Sequence, residues 1–346
     1  MKAPAHFRRA QTGFSITELM VAMTIGLIIL AAVAGLFVST NKASNNQNRL
    51  ARVQENGRFA MYYLLRDLRM TGYMGCQNDL TDHLSNDLPT TTGFYFGTTN
   101  LSTPIEGIDD VTSGSTPAWS PSASTTLPTN VWTGTAAAIG KPDLLAIRRV
   151  DTSTAQQLTT PMASFTDNLT VQSTSNFQNN AVVLVADCTK ADLVQVNVAN
   201  SGQLTPVSQL SKQYDKTSAW VYPYTTRIYY IGLNNNSVPS LYRADNGGTP
   251  VELVEGIESM KILYGIATPP NIQPSYYRKA SAMSAADWAN VVSIKIGILA
   301  RTPNAKDTDI DNTTYDVNGA VLGPFNDRNS RRVFTATALL KDRALP

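Results

Sequence analysis

Gly13, Phe14 and Glu18 form the most distinctive chemical arrangement of the sequence, within the stretch GFSITELMVAMTIGL. A small residue before Phe14 offers a site for proteolysis, and cleavage after Gly13 would create a free α-amino group on Phe14. Glu18 follows one helical turn later, at the start of an apolar run. A carboxylate in hydrocarbon costs roughly 2.5 to 3.5 kcal/mol, so an acid here indicates a function. If such helices pack side by side, a neighbour's amino terminus can supply the cation that Glu18 requires.

Other candidates for catalysis or metal binding are few. Histidine occurs only at His6 and His83, and the sequence contains no Gly-x-Ser-x-Gly, phosphate-loop or His-Glu-x-x-His motif. An enzyme tethered to the membrane is therefore a remote alternative. The run DTDIDN places Asp307, Asp309 and Asp311 at the alternate spacing of a calcium loop, but it lacks the glycine and the final glutamate of such a loop. We expect a solvated loop and no cofactor, with calcium as the weaker alternative.

The element that carries Glu18 is an apolar run from Leu19 to Val38 without a charge. As a helix of about 20 residues it is long enough to cross a bilayer. The bases that precede Gly13 favour a cytoplasmic start with the rest of the chain exported. An ordinary secretory signal is cleaved after its apolar run, so cleavage at Gly13 would instead keep the helix in the mature protein. The competing interpretation of Glu18 is an interfacial residue whose side chain reaches the headgroups.

The stretch GFSITELMVAMTIGLIIL resembles the class III leader and N-terminal helix of type IV prepilins and type II secretion pseudopilins. The resemblance implies that a prepilin peptidase cuts between Gly13 and Phe14 and methylates the new amino group of Phe14. It also implies that Glu18, the fifth mature residue, pairs with an amino terminus and directs the helix into a filament. Gly35 departs from the family pattern, because major pilins tend to carry a proline near this position.

A stem helix is predicted to continue over residues 39–71. Its predicted buried face carries Leu50, Val53, Ala60, Leu64 and Leu68. Asn56 and Gly57 interrupt this face, and because glycine costs about 1 kcal/mol in a helix, we expect a bend or fraying there. The helix should end at Thr71-Gly72, since glycine tolerates the left-handed conformation of a helix cap.

The stem is basic. Its charged residues are the bases Lys42, Arg49, Arg52, Arg58, Arg66 and Arg69 and the acids Glu55 and Asp67. This pattern indicates a solvated helical face or, alternatively, a basic stripe that pairs with acidic surfaces of neighbouring subunits. The whole chain is nearly neutral, with 28 Lys and Arg against 26 Asp and Glu. Arg148-Arg149 and Arg331-Arg332 are isolated pairs rather than a basic groove with stacking aromatics, so we expect no direct binding of nucleic acid.

The sequence thus predicts a leader at 1–13, a transmembrane or filament-core helix at 14–38, the stem, and a periplasmic β-rich globular domain at 72–346. Within that domain, polar residues from about 79 to 140 predict long loops with one or two short strands. Strand-like runs follow at Leu144–Val150, Ala181–Ala186, Leu193–Val198, Arg227–Leu233, Leu241–Ala244, Val251–Tyr264, Val291–Ala300 and Val333–Leu340. We therefore expect an α+β fold, with the long N-terminal helix packed on a mainly antiparallel β-sheet.

Cys76 and Cys188 are the only cysteines of the sequence. A protein anchored with its bulk outside the cytoplasm lies in an oxidising compartment, where an isolated pair favours a disulfide over a reactive thiol or a metal site. Such a bridge would close a loop of about 110 residues and contribute on the order of 4 to 5 kcal/mol in the chain-entropy model. We predict that it ties the end of the stem to a strand.

Segments that follow the N-terminal helix indicate which pilin family the chain resembles. The segment QENGRFAMYYLLRDLRMTGYMGC resembles the stem ending of PilW-type minor pilins. The segments PDLLAIRRV, VVLVADCTKADLVQV, VELVEGIESMKILYG and RRVFTATALLKD are similar to further parts of that family in the same order. The resemblance implies a low-abundance subunit that helps to initiate type IV pilus assembly at or near the tip and supports pilus biogenesis, twitching motility and adhesion.

The same resemblance implies the partners and the location. The partners are the prepilin peptidase, other minor pilins, the major pilin, a tip adhesin and the inner-membrane assembly platform. The location is the inner membrane, crossed once with the globular domain in the periplasm, and then the extracellular pilus fibre after assembly. The alternative function is a pseudopilin of a type II secretion or DNA-uptake piston.

Overall fold

The computed structural model describes residues 13, 15–73, 84–89, 95, 104–111, 118–132, 141–269, 271, 273–303 and 310–340. Packing divides the chain into an N-terminal unit that ends at Ala51 and a larger unit that begins at Arg52. One continuous helix, α1 (Ile16–Leu68), runs through this division. Residues 52–68 of the predicted stem therefore belong to the larger unit and form part of its core.

The larger unit consists mainly of strands. They are β1 (Leu84–Asn86), β2 (Ile105–Ile108), β3 (Leu144–Val150), β4 (Gln156–Gln157), β5 (Leu169–Thr170), β6 (Ala181–Ala186), β7 (Ala191–Asn200), β8 (Gln203–Pro206), β9 (Trp220–Leu233), β10 (Pro239–Asp245), β11 (Val251–Glu255), β12 (Ile257–Ala267), β13 (Pro274–Arg278), β14 (Val291–Arg301), β15 (Tyr315–Val317), β16 (Ala320–Leu322) and β17 (Arg331–Leu339). A short helix, Ala285–Ala289, begins at a capping box in which Ser284 and Asp287 exchange hydrogen bonds. The runs predicted as strands are confirmed, although several extend further than their apolar cores.

Strand β9 joins the two halves of the larger sheet. Its first residues pair with β6, and its later residues pair with β3 and β10. The order across the sheet is β11-β10-β9-β6-β7-β8-β5, with β1, β2, β3 and β4 attached beside this path. Only β1 and β7 run parallel among the described strands, and the other pairs are antiparallel. The predicted α+β class with a mainly antiparallel sheet is confirmed.

The main core lies where the stem meets both sheets. The second sheet has the order β13-β12-β14-β17. The core cluster contains Val53, Ala60, Met61, Leu64 and Leu68 of α1, Leu145 and Ile147 of β3, Tyr229 and Ile231 of β9, and Ile294, Ile296 and Ile298 of β14. Burying each large aliphatic side chain contributes about 1.5 to 3 kcal/mol. Residues 52–68 are thus held by tertiary packing rather than by helix propensity alone.

The fraying predicted at Asn56-Gly57 is not observed, because α1 continues through both residues. Gly57 is buried against Phe334 of β17, and a Cβ atom on Gly57 would lie 2.2 Å from the Phe334 ring carbon Cε2. The Asn56 side chain donates a hydrogen bond of 2.9 Å to the carbonyl oxygen of Glu255. Both residues therefore serve the contact between helix and sheet. The helical cost of the glycine is offset by the close approach of the ring.

Two further details of the stem differ from expectation. Leu50 does not join the buried face, since it is exposed, whereas Asp67 is buried on that face. The α-helix itself ends at Leu68, and a turn over residues 69–72 follows. Gly72 has a φ of +77°, the left-handed conformation expected for the residue that terminates the helix.

Candidate assembly site

The N-terminal unit carries the residues predicted to act in processing and assembly. Gly13 and Ser15 are exposed, and α1 begins at Ile16 with Glu18 in its first turn. The backbone N–H of Leu19 donates to the carbonyl oxygen of Ser15 at 3.1 Å. A carboxylate in the first turn interacts favourably with the positive end of the helix dipole. Phe14 lies outside the described residues, so its role in cleavage and methylation stays a prediction.

The helical surface that follows Glu18 is apolar on every side. Large hydrophobic residues from Ile16 to Val38 are 52% to 79% exposed. The hydroxyl groups within the helix are satisfied internally, since Thr24 donates to the carbonyl oxygens of Met20 and Val21 at 3.0 and 2.8 Å. Backbone and hydroxyl groups satisfied in this way carry little penalty in hydrocarbon. The helix is therefore long and apolar enough to cross a membrane.

A buried ion-pair network fixes the end of the stem, and Asp67 lies at its centre. Its carboxylate accepts hydrogen bonds from Arg149 Nη1 of β3 at 2.6 Å and from Arg227 Nη1 of β9 at 2.8 and 2.7 Å. It also accepts a hydrogen bond from the hydroxyl of Tyr229. We call these four residues the Asp67 network. It joins the last turn of α1 to two strands of the larger sheet.

The surroundings hold Asp67 in its charged form. Burial alone would raise the pKa of Asp67, but the charge of Arg227, the hydrogen bond from Tyr229 and the charge of Arg149 outweigh burial and lower it. Burial together with the Asp67 charge raises the pKa of Tyr229 well above its ordinary value, so this hydroxyl remains a donor. An ionised acid between two guanidinium groups compensates charge at a site from which water is largely excluded.

Two family descriptions match the chain. Residues 228–342 match the family described as Type IV Pilus-assembly protein W, and residues 8–34 match the prokaryotic N-terminal methylation motif. Both matches support a type IV pilus-related pilin. The resemblance to PilW-type pilins is confirmed, and the matched region includes β10 to β17 with the whole second sheet. No curated protein matches the chain.

The matches also bear on the earlier expectations of function. The methylation motif spans Gly13, Phe14 and Glu18, and the PilW description names a protein of pilus assembly. Both descriptions are consistent with a pilus-related subunit, and the apolar N-terminal helix is suited to anchoring in a membrane.

Three of the four paired arginines of the sequence, Arg148, Arg149 and Arg331, are buried, whereas Arg332 is exposed. Arg148 forms an ion pair with Glu106 at 2.7 Å, and both side chains are almost fully buried. Arg331 pairs with Glu258 at 2.6 Å, with Asp311 at 2.9 Å and with Asp327 at 2.6 Å. These guanidinium groups are therefore engaged in holding loops and strands together.

The calcium and cysteine predictions fall partly outside the described residues. Asp311 accepts hydrogen bonds from Arg331 and Tyr315, while Asp307 and Asp309 lie outside the description. Within the described part of the chain, no group of three or more His, Cys, Asp or Glu residues could hold a metal ion. The solvated loop without a cofactor stays the prediction, with calcium binding as the weaker alternative.

Cys188 lies two residues after the end of β6. Its predicted partner Cys76 lies outside the described residues, so the pairing of these two cysteines stays a prediction. A bridge at Cys188 would begin two residues after Ala186, the end of a strand whose side chains are mostly buried. That position suits a covalent tie to the core.

Sequence reasoning missed the Asp67 network, although one signal for it was present. Asp67 follows Leu64 by three residues and immediately precedes Leu68, so helical periodicity places its side chain on the buried face. An acid at such a position requires a cationic partner. The partners are 82 and 160 residues away in the sequence, and no local pattern identifies them.

Proposed function

We propose that this pilin is a minor pilin that helps to initiate type IV pilus assembly and takes a place at or near the pilus tip. The observation that carries the proposal is the combination of the prepilin-type N terminus with a PilW-type domain. The exposed apolar face of α1 gives the subunit an element that suits both a bilayer and a bundle of similar helices.

Assembly would proceed from processing at the N terminus. A prepilin peptidase removes the leader after Gly13 and methylates Phe14, and the mature helix stays in the inner membrane. Glu18 then pairs with the amino terminus of a neighbouring subunit as the helix leaves the lipid for the filament. A naked carboxylate is unfavourable in the bilayer, whereas matched charges within a helical bundle are tolerated. This difference favours assembly over retention.

The large β domain suits a subunit that interacts with unlike neighbours. In the proposal it contacts other minor pilins, the major pilin and a tip adhesin, while the inner-membrane platform adds subunits beneath it. Pilus biogenesis, twitching motility and adhesion depend on these contacts. The domain resides in the periplasm before assembly and on the extracellular fibre afterwards.

Substitution of Glu18 tests the proposal. Cells that produce the wild type, Glu18→Ala or the control Glu55→Ala are separated into sheared surface filaments and inner membrane, and peptides that begin at Phe14 are quantified by mass spectrometry. Glu55 is a second exposed acid of α1, so its substitution controls for loss of charge. We expect methylated wild-type peptide at low abundance beside a major pilin in the filaments. Glu18→Ala should be cleaved but depleted from filaments, whereas Glu55→Ala should be recovered normally.

The outcomes distinguish the alternatives. Equal recovery of Glu18→Ala and wild type in filaments refutes the pairing role of Glu18. Wild-type protein that is processed but confined to the membrane fraction favours a pseudopilin of a secretion or DNA-uptake piston. An uncleaved leader refutes the assignment of Gly13 as the processing site.

A further inference from the structure

A cleft lies beside the last turns of the stem, next to the Asp67 network. It has a volume of about 490 Å³. Its walls include Tyr62, Leu65 and Arg66 of α1 and Arg69 of the turn that follows, together with Arg149 and Asp151 at the end of β3. We call it the stem cleft. Both walls belong to the larger unit, so the cleft is a feature of one compact body.

Two cations of the stem cleft have no ion-pair partner among the described residues. Arg66 and Arg69 are exposed, and neither forms an ion pair with any residue that the structure describes. Arg149 differs from them, because its charge is compensated by Asp67 at 2.6 Å. The positive charge of the cleft that is not compensated by the described residues therefore comes from Arg66 and Arg69. They are three residues apart, and the backbone N–H of Arg69 still donates to the carbonyl oxygen of Leu65, so the two side chains are neighbours at the end of the helix. Neighbouring guanidinium groups are suited to a carboxylate, which they can bind through paired hydrogen bonds.

The same face exposes apolar surface. Tyr62 is 56% exposed and Phe59, one turn earlier, is 50% exposed, while Leu65 is half-buried in the cleft wall. Large aromatic residues beside arginines are the residue types that dominate the binding energy of protein interfaces. The cleft thus offers an apolar wall next to its cations.

Asp151 favours a ligand that can donate a hydrogen bond to its carboxylate. Its Oδ1 accepts hydrogen bonds from the backbone N–H of Ser153 at 3.0 Å and from the Ser153 hydroxyl at 2.6 Å. Its Oδ2 accepts none from the described residues and can accept one from a ligand. A ligand of the cleft therefore needs both a carboxylate and an N–H donor. A peptide segment with an acidic side chain supplies both, whereas an ionised phosphate group supplies acceptors only.

We infer that the stem cleft binds an acidic peptide segment of a neighbouring pilin subunit. The segment's carboxylates pair with Arg66 and Arg69, an apolar side chain packs on Tyr62 and Leu65, and a backbone N–H donates to Asp151. The identity of the neighbour as a pilin rests on the proposed function. The interaction is the acidic-motif recognition by arginine pairs that other peptide-binding proteins use.

Binding is tested with full-length protein in zwitterionic detergent micelles. The probe is a blocked, dye-labelled short peptide in which two glutamates flank a leucine, and its control is the same peptide with glutamines. Fluorescence anisotropy should show saturable binding of the acidic peptide only. The double variant Arg66→Gln/Arg69→Gln should weaken it by about tenfold or more, because each charged hydrogen bond is lost. The matched control Arg58→Gln, an exposed stem arginine outside the cleft, should stay within about twofold of wild type.

Several results would overturn the inference. These are failure of the acidic peptide to bind, equal binding of the glutamine peptide, or equal weakening by Arg58→Gln, which would indicate unspecific charge attraction. Vesicles that contain phosphatidylglycerol provide a further comparison. If the double variant weakens vesicle binding but leaves peptide binding unchanged, the cleft arginines contact lipid and the inference is wrong.

A filament assay separates this inference from the proposed function. If the wild type enters sheared filaments and Arg66→Gln/Arg69→Gln does not, although cleavage at Gly13 and the melting temperature are unchanged, both stand. If the double variant enters filaments as well as the wild type, the inference fails and the proposed function survives. If the wild type itself is absent from filaments, the proposed function fails, while the peptide titration still decides what the cleft binds.

Discussion

Replacement of Asp67 by asparagine is the sharpest perturbation of the junction between stem and sheet. The side chain keeps its shape and one carbonyl oxygen, but it loses the negative charge that lies between Arg149 and Arg227. Arg149 would then lose its ion-pair partner in a largely buried site, and Arg227 would keep only Asp245, at 3.5 Å. The hydrogen bond from Tyr229 can persist, because an amide oxygen still accepts it.

The expected loss of stability follows from this geometry. Removing one partner of a buried ion pair costs about 3 to 5 kcal/mol, and the amide oxygen that remains favours the lower end. A loss of about 3 kcal/mol lowers the melting temperature of a domain of this size by roughly 5 °C. The control Glu55→Gln removes the same charge from an exposed position of the same helix, and its effect should stay below about 1 °C.

The assay is thermal unfolding of full-length protein in detergent, monitored by the circular dichroism signal of the β-strands. The pKa of Asp67 is lowered in the folded protein, so the stability that its charge contributes is complete above the unfolded pKa of about 3.9 and is lost as pH falls below it. The difference in melting temperature between wild type and Asp67→Asn should therefore be largest at pH 7 and decrease below about pH 4. A melting temperature of Asp67→Asn within about 1 °C of wild type at pH 7 would refute the assigned role of the network.

Three further outcomes are expected. Gly57→Ala should lower the melting temperature despite a gain of about 1 kcal/mol in helix propensity, because the new Cβ would lie 2.2 Å from a ring carbon of Phe334. Adding Phe334→Leu to this variant should reverse the loss. An unchanged melting temperature of Gly57→Ala would contradict the packing argument. Burial acts to raise the pKa of Asp327, but the hydrogen bond from Arg331 prevails and lowers it to about 2; acid titration of the wild type should show stability falling from about pH 4 to pH 2, and an equal fall in Asp327→Asn would show that other groups are responsible. Non-reducing peptide mapping of exported protein should find Cys76 joined to Cys188, and two free thiols would remove that bridge.

The strands were predictable because their signal is local. Runs such as VVSIKIGILA and AVVLVA combine β-branched residues with short length, and they lie within strands β14 and β6. The motif around Gly13 and Glu18 was predictable for the same reason, since all its residues lie within one stretch of chain. The methylation-motif match over residues 8–34 covers that stretch.

Other features of the structure depend on contacts between residues that are distant in the sequence. Glycine disfavours helices, yet Gly57 lies within α1 because the Phe334 ring of β17 packs against it. Adjacent arginines are usually exposed, yet Arg148 and Arg149 are both buried, because Glu106 and Asp67 compensate their charges. The stem cleft arises only when the end of α1 meets the chain after β3. Each of these features joins positions that are distant in sequence, so periodicity within a segment cannot reveal it.

The spread of the stem's contacts determines how the larger unit would respond to tension. Asn56 bonds to β11, Gly57 lies against β17, and Asp67 bonds to β3 and β9. A pull along the helix axis would therefore load four strands from both sheets in parallel, and the anchoring contacts would have to shear together rather than peel one after another. Forced unfolding is governed by the rate of crossing such a barrier. A subunit built in this way resists detachment of its stem under load better than one whose helix is fixed to a single edge strand.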